Sequence, residues 1–300
     1  MNWNKYTAYL LGLISACSAF SKVNAMDSNK KEVEPIASSQ PSTEYKCWFH
    51  SGVKCELNKN HLTITCLEDH DEDYGKMGNI FNHLDHLRDS VKSISFKGPI
   101  KKIGNSAFKE CTNLTFIDIP DSVTEIGDGA FGSCRRLQSV KMPSVKTIGN
   151  GAFGSCKNLQ SVEMPSVKTI GDSAFSFCES LQSVEIPNVE TINMGVFHKC
   201  KSLQSAKMPS VKTIGDSAFS FCESLQSVKI PNVETIESMA FLNCRSLLYI
   251  DLSSVKRIGD YVFRNCSNLT VVRPPDKKEL EFVGRHLFDD GCLNLLRKDI

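Results

Sequence analysis

From about residue 91 to residue 273 the apolar positions of the chain return at fixed intervals. Phe stands at positions 108, 131, 153, 175, 197, 219, 241 and 263, with a first gap of 23 residues and later gaps of 22. A Cys follows each Phe by three residues, from Cys111 to Cys266, and a Leu follows each Cys by three, from Leu114 to Leu269. The unit reads I-G-D-x-A-F-x-x-C-x-x-L-x-x-V-x-I-P-x-V-x-x. A period of this size is the mark of a solenoid, because one unit cannot bury its apolar edge until it is stacked on its neighbours.

The two halves of the unit have different periods. In Leu181-x-x-Val184-x-Ile186 the last two apolar residues alternate with Ser183 and Glu185. That alternation predicts a short strand with one buried face, ended by Pro187, which has no N–H for a further ladder bond. The other half, D-S-A-F-S-F-C, reads as a short helical turn. Asp172 takes the N-cap position, as do Asn105, Asp128, Asn150, Asp216, Ser238 and Asp260, with Met194 as the exception. The glycine after each Ile answers a turn requirement.

The ends of such a stack need covers. Ile80, Leu84 and Leu87 predict an amphipathic helix, and Val91, Ile94 and Phe96 a degenerate first strand. At the other end the segment 277–300 reads as a helical cap that partly echoes the repeat at Phe288, Cys292 and Leu295. Before the repeats, residues 45–66 read as a small β module.

The amino terminus reads as a secretory signal: Lys5, an uncharged and mostly apolar run from Tyr9 to Phe20, and a cleavage site after Ala25. Ile14-Ser15-Ala16-Cys17 also fits a lipoprotein box, in which Cys17 would carry a lipid anchor. Either route places the protein outside the cytoplasm, secreted or at the cell surface, with no transmembrane span. The expected organisation is a signal at 1–25, a polar linker at 26–44, the N-terminal module and cap at 45–90, the solenoid at 91–273 and the C-terminal cap at 274–300.

A net charge of +1 lacks the basic excess of a nucleic-acid binder. The 13 cysteines invite a chemical reading. Zinc needs four converging ligands, but each coil offers one Cys, and only Cys200 has a nearby histidine, His198. A nucleophile needs a base that the coils do not carry. Disulfides between coils would leave every Cys with two equivalent neighbours. The repeated thiol is therefore read as a small core filler, with no cofactor and no catalytic residue implied. Cys47, Cys55 and Cys66 are separate, and a disulfide between two of them is compatible with export, its pairing open. Asp69, Asp71 and Asp73 depart from a calcium loop at Tyr74 and Ile80. His83 and His86 lack a third ligand.

The I-G-x-x-A-F-x-x-C-x-x-L-x-x-V-x-I-P pattern resembles the BspA-type leucine-rich-repeat family over about residues 91 to 273, and His61-Leu62-Thr63-Ile64-Thr65-Cys66 loosely matches that family's N-terminal module. The resemblance implies a curved leucine-rich-repeat solenoid used for adhesion or protein binding, and no enzyme activity.

The outward side of the strands carries the candidate site. One ladder is Asp118, Lys141, Glu163, Glu185, Lys207, Lys229, Asp251 and Arg273; the other is Phe116, Ser139, Ser161, Ser183, Ser205, Ser227, Tyr249 and Val271. Opposite charges on adjacent strands can pair with each other and do no more than that. The functional reading is a concave docking face for a protein partner, host-cell proteins included, with Phe116 and Tyr249 as anchors. A carbohydrate- or cell-wall-binding surface is the alternative, and a Glu163/Glu185 hydrolytic pair a weaker one.

Overall fold

A computed structural model describes residues 45–50, 53–66, 85–275 and 280–287, all within the unit Thr43–Ile300. Cys17, the signal and linker, Asp69 to Asp73, Ile80, His83, Leu84, Phe288, Cys292 and Leu295 lie outside these residues.

Each coil contributes a three-residue main strand, such as Ser161–Glu163, and a two-residue short strand, such as Thr169–Ile170. Strands of successive coils pair in parallel with residues 22 apart opposite each other: Ser139 with Ser161, Thr147 with Thr169, Ser205 with Ser227. The centre of each main strand points inward and its two flanks outward, as the alternation predicts. The core is one continuous cluster of Phe, Cys, Leu, Val, Ile and Ala slots. The eight Phe rings form a single file, each stacked on the next at 5.2–5.7 Å.

The third side of the coil is not helical. Two residues per coil adopt left-handed φ, for example Ser173 at 55° and Phe177 at 60°, and an α-helix requires an unbroken right-handed run. The segment is instead a chain of i→i+3 turns, Ala174 N to Gly171 O (3.3 Å) and Cys178 N to Phe175 O (3.2 Å). The alternate N–H groups of Ser173, Phe175 and Phe177 donate to Met194, Val196 and His198 of the next coil. The Asp and Asn residues read as N-caps cap no helix. They accept from the next coil: Asp128 N to Asn105 Oδ1 (2.9 Å), Asn150 N to Asp128 Oδ1 (2.7 Å), Asp172 N to Asn150 Oδ1 (2.8 Å). The glycine after Ile serves close approach rather than a turn: a Cβ on Gly149 would lie 2.6 Å from the Asp128 backbone N.

The N-terminal module is antiparallel, Tyr45–His50 with Val53–Asn58 and Val53–Asn58 with His61–Cys66. It then joins the solenoid in parallel through Ser93–Lys97, the degenerate first strand, whose Ile94 is buried. The described parts of the expected helical caps, residues 85–90 and 280–287, are not α-helical. Leu87 is buried in a 3-10 turn, Asp85–Ser90. At the other end Phe282–Val283 is a strand paired with Arg257–Ile258, and Gly284 N bonds Ile258 O (2.6 Å). Residues 281–287 thus repeat the short-strand half of a coil, with Val283, Gly284 and Leu287 in the Ile, Gly and Ala slots.

Candidate functional site

The outward ladders lie where the sequence places them. Phe116 is opposite Ser139 and Asp118 opposite Lys141; Glu163 also faces Lys141; Glu185 faces Lys207, Lys207 faces Lys229, and Asp251 faces Arg273. Three pairs close across neighbouring strands: Lys141–Glu163 at 3.0 Å, Lys207–Glu185 at 2.5 Å and Arg273–Asp251 at 3.3 Å. Exposed pairs of this kind contribute about 0–1 kcal/mol each, so they tidy the surface more than they hold the fold. Asp118 and Lys229 make no ion pair among the described residues. Glu163 and Glu185 each turn to a lysine on the far side, so the structure does not join them into a carboxylate pair.

The apolar residues of this face are sharply local. Phe116 is 53% exposed, Tyr249 42% and Leu248 50%. The slot of Phe116 and Tyr249 is held by Ser139, Ser161, Ser183, Ser205 and Ser227 in the coils between, so the fold does not ask for an aromatic there. Desolvation, then the Asp251 carboxylate, pushes the Tyr249 phenol up. Burial raises the Asp251 carboxyl, but hydrogen bonds from Ser253 and the Arg273 guanidinium outweigh it and leave it below its usual range. A shallow groove of about 380 Å³ runs beside this face, lined by Asp118, Pro120, Lys141, Pro143 and Glu163.

The repeated thiols face the core. Cys111, Cys134, Cys156, Cys178, Cys200, Cys222 and Cys244 are free and fully buried. From Cys134 on, each Sγ donates to the Phe carbonyl of the coil before it, as Cys178 to Phe153 O (3.3 Å). That carbonyl also accepts the Cys N–H of its own coil, Cys156 N to Phe153 O at 3.2 Å. The thiol is therefore both filler and a weak clasp between coils. Burial pushes Cys111 and Cys156 up to about 12 and Cys178 well above the ordinary thiol range. A thiol held protonated is a poor nucleophile and a poor ligand. Among the described residues no three His, Cys, Asp or Glu side chains gather as a metal site. Cys55 is buried and Cys66 half-buried against the core; the side chain of Cys47 is outside the described set.

With this geometry in place, the family model described as the BspA type leucine rich repeat region matches residues 86–204 and 190–300, in six copies. The chain belongs to the BspA-type leucine-rich-repeat family. Such proteins are typically surface or secreted binding modules and typically not enzymes. Solved structures similar in fold include a leucine-rich repeat protein from Bacteroides ovatus (22% identity, 81% of this chain and 78% of that one, TM-score 0.46). Another is the leucine-rich repeat protein of T. pallidum (22%, 83% and 98%, 0.43). A third is a leucine rich cell surface protein from Faecalibacterium prausnitzii (24%, 81% and 97%, 0.32). No curated protein matches the chain. No helix among the described residues is long and apolar enough to cross a membrane.

Within this BspA-type solenoid, a second cluster lies on the turn edge and escaped the reading of the ladders. His198 stands edge-on between Phe177 (5.4 Å) and Phe221 (5.8 Å), with its Nδ1 at 2.5 Å from the Ser220 hydroxyl. The Lys199 ammonium lies over both rings, at 4.8 and 5.7 Å. Phe177 and Phe221 occupy a left-handed slot that Ser133, Ser155, Asn243 and Asn265 fill elsewhere. The signal was present in the repeated F-S-F-C, whose second Phe lies outside the core spacing.

Proposed function

We propose that the outward face of the main strands is a docking surface for a protein partner at the cell exterior, host-cell surface proteins among them, and that Phe116 and Tyr249 are its two anchors. The observation that carries this reading is the placement of large exposed apolar side chains, Phe116 and the pair Leu248–Tyr249, in a face made mostly of serine, glutamine and charge. Phe116 and Tyr249 are six coils apart, which at about 4.8 Å per coil is roughly 30 Å. A standard interface of about 800 Å² per partner has that width. The face between the anchors is mostly serine, glutamine and charge and lacks the run of aromatic stacking platforms that a glycan chain would use, which favours protein over the carbohydrate alternative. Between the anchors, Lys207 and Lys229 stand opposite each other and, of the two, only Lys207 has an ion pair among the described residues, with Glu185, so this stretch suits a partner that brings an acidic group.

The test is capture of surface proteins from candidate host cells by the exported chain, in parallel with the Phe116→Ala/Tyr249→Ala variant. The expected result is a partner held by the wild type and lost, by about a hundred-fold in affinity or more, from the variant. A partner held equally by both overturns the assignment of the anchors.

A further inference from the structure

One coil boundary is built differently from the others. The main-strand sheet stops at Ser161–Glu163 and restarts at Ser183–Glu185, and the short-strand sheet stops at Thr169–Ile170 and restarts at Thr191–Ile192. Among the described residues no other boundary interrupts both sheets. At seven boundaries the residue after the short-strand Ile donates its N–H to the preceding coil, from Gly127 N to Ile103 O (2.7 Å) through Gly171 N to Ile148 O (2.7 Å) to Gly284 N to Ile258 O (2.6 Å). At this boundary that residue is Asn193, and its side-chain Nδ2 takes the Ile170 carbonyl instead, at 2.7 Å. A short amide side chain competing with its backbone for a local acceptor is a known way to open a ladder.

A side chain in this slot is not itself the cause. Glu237 also replaces the glycine, yet its N–H still reaches Ile214 O at 2.8 Å. The chain supplies a control of its own. Residues 168–192 and 212–236 are identical but for Glu185 and Lys229. In the second copy Thr213 and Ile214 pair with Thr235 and Ile236; in the first the equivalent residues do not pair. From Lys168 and its counterpart Lys212 onward, the strand sides of the two boundaries differ at Glu185 against Lys229 and, directly after the short strand, at Asn193 against Glu237; the next differences, Met194 against Ser238, Gly195 against Met239, Val196 against Ala240 and His198 against Leu242, lie on the turn edge, which is closed at both boundaries.

The turn edge stays closed across the same boundary. Ser173, Phe175 and Phe177 donate to Met194, Val196 and His198 at 2.8–2.9 Å. Phe175 stacks on Phe197, Cys200 Sγ reaches Phe175 O (3.2 Å), Lys201 meets Glu179 (3.6 Å), and Phe177 is clipped by His198 and Lys199. On the outward face the ion pairs of Glu163 and Glu185 both point away from the boundary. On the strand sides Gln182 N still reaches Gln160 O (3.1 Å) and Asn188 Nδ2 reaches Pro165 O (2.7 Å), but the ladder pairs are missing; the third side is pinned along its length.

We propose that Asn193 makes this boundary a bending joint: the array changes the curvature of its outward face there, with the turn edge as the pivot. This holds whatever docks on that face, and its test needs no partner. Hydrogen exchange is followed on the folded chain for Glu190, Thr191 and Asn193 against their counterparts Lys168, Thr169 and Gly171, and Lys212, Thr213 and Gly215. In the wild type the joint amides are expected to exchange about ten-fold faster or more. Asn193→Gly frees the Ile170 carbonyl and removes the Cβ, and is expected to slow them to the rate of their counterparts. Glu185→Lys, which makes the two copies identical, is expected to leave the fast exchange in place. In parallel, spin labels carried on non-cysteine side chains at positions 161 and 205, across the joint, are expected to give a broader distance distribution than labels at 183 and 227. Asn193→Gly is expected to narrow it. Equal exchange at all boundaries, equal label distributions, no response to Asn193→Gly, or closure by Glu185→Lys would each overturn the proposal.

Discussion

Phe219→Ala tests the stacked core directly. Phe219 has no exposed surface, and its ring lies between Phe197 at 5.2 Å and Phe241 at 5.4 Å. Removing it forfeits about 1.5–3 kcal/mol of burial, leaves a cavity, and breaks two ring contacts of about 0.5–1.5 kcal/mol each. The range observed for such truncations, about 3–5 kcal/mol, already contains these terms. Because each coil contacts only its neighbours, the loss cannot be shared along the array. Urea unfolding followed by circular dichroism reads it. With a slope of about 3 kcal/mol per molar, at the upper end for small proteins, the midpoint falls by about 1–1.7 M. Phe116→Ala, on the exposed face, is the matched control and is expected to move stability by no more than about 0.5 kcal/mol. A Phe219→Ala loss below about 1 kcal/mol, or equal to that of Phe116→Ala, would refute the continuous apolar file.

In the folded protein the thiols of Cys134, Cys156, Cys178, Cys200, Cys222 and Cys244 should resist alkylation at pH 8 and become labelled when urea unfolds the chain; rapid labelling under native conditions would contradict their burial. Burial first, then Lys199, pushes the His198 imidazole below its ordinary value. The unfolded chain thus binds this proton more readily, so stability should decline as pH falls from about 6.5 toward the lower folded value. His198→Gln should flatten that slope in melting curves taken from pH 7 to 5, whereas an unchanged slope would assign it elsewhere. Lys207→Ala should move stability by no more than about 1 kcal/mol, because its pair with Glu185 is exposed; a larger loss would make the ladder a structural element.

The inward half of this protein was legible because three of its slots are filled by one residue type throughout. Phe, Cys and Leu at intervals of three gave the period, the core and the count of coils. The same interval misled on local conformation. A spacing of three belongs to a helical turn and equally to a run of i→i+3 turns, and composition does not choose between them. The choice is made by left-handed residues such as Ser173 and Phe177, whose side chains give no sign of it. The Asp and Asn of each coil raised a second ambiguity. A side-chain oxygen beside a free N–H reads as a cap on its own turn, and only stacking reveals that the acceptor serves the next coil. The C-terminal segment had its repeat character in Val283-Gly284 and Leu287, diluted by Phe282 and Arg285 in polar slots. The outward ladders were legible in register and not in energy, since pairing depends on which way each lysine leans.

The duplicated block shows how such a fold changes its surface without changing itself. Its two copies differ at one residue, Glu185 and Lys229, and both side chains are outward. Inward slots vary little: Phe, Cys and Leu are constant from coil to coil, and the strand-centre slot exchanges only Val, Ile and Ala206, because each is sealed by a coil above and below and a change of one methylene is felt in a close-packed interior. Outward slots have no such neighbours, so charge can reverse at a cost of a few tenths of a kcal/mol. The slot after Ile is a third kind, neither core nor surface. It sits where backbones of adjacent coils nearly touch, and a residue there acts on the hydrogen bonds between coils rather than on packing or charge. Glycine leaves that ladder intact, glutamate at 237 reaches past it, and asparagine at 193 takes its acceptor. One array can therefore vary what it displays through the outward slots and how it bends through this slot, with the apolar file untouched by either.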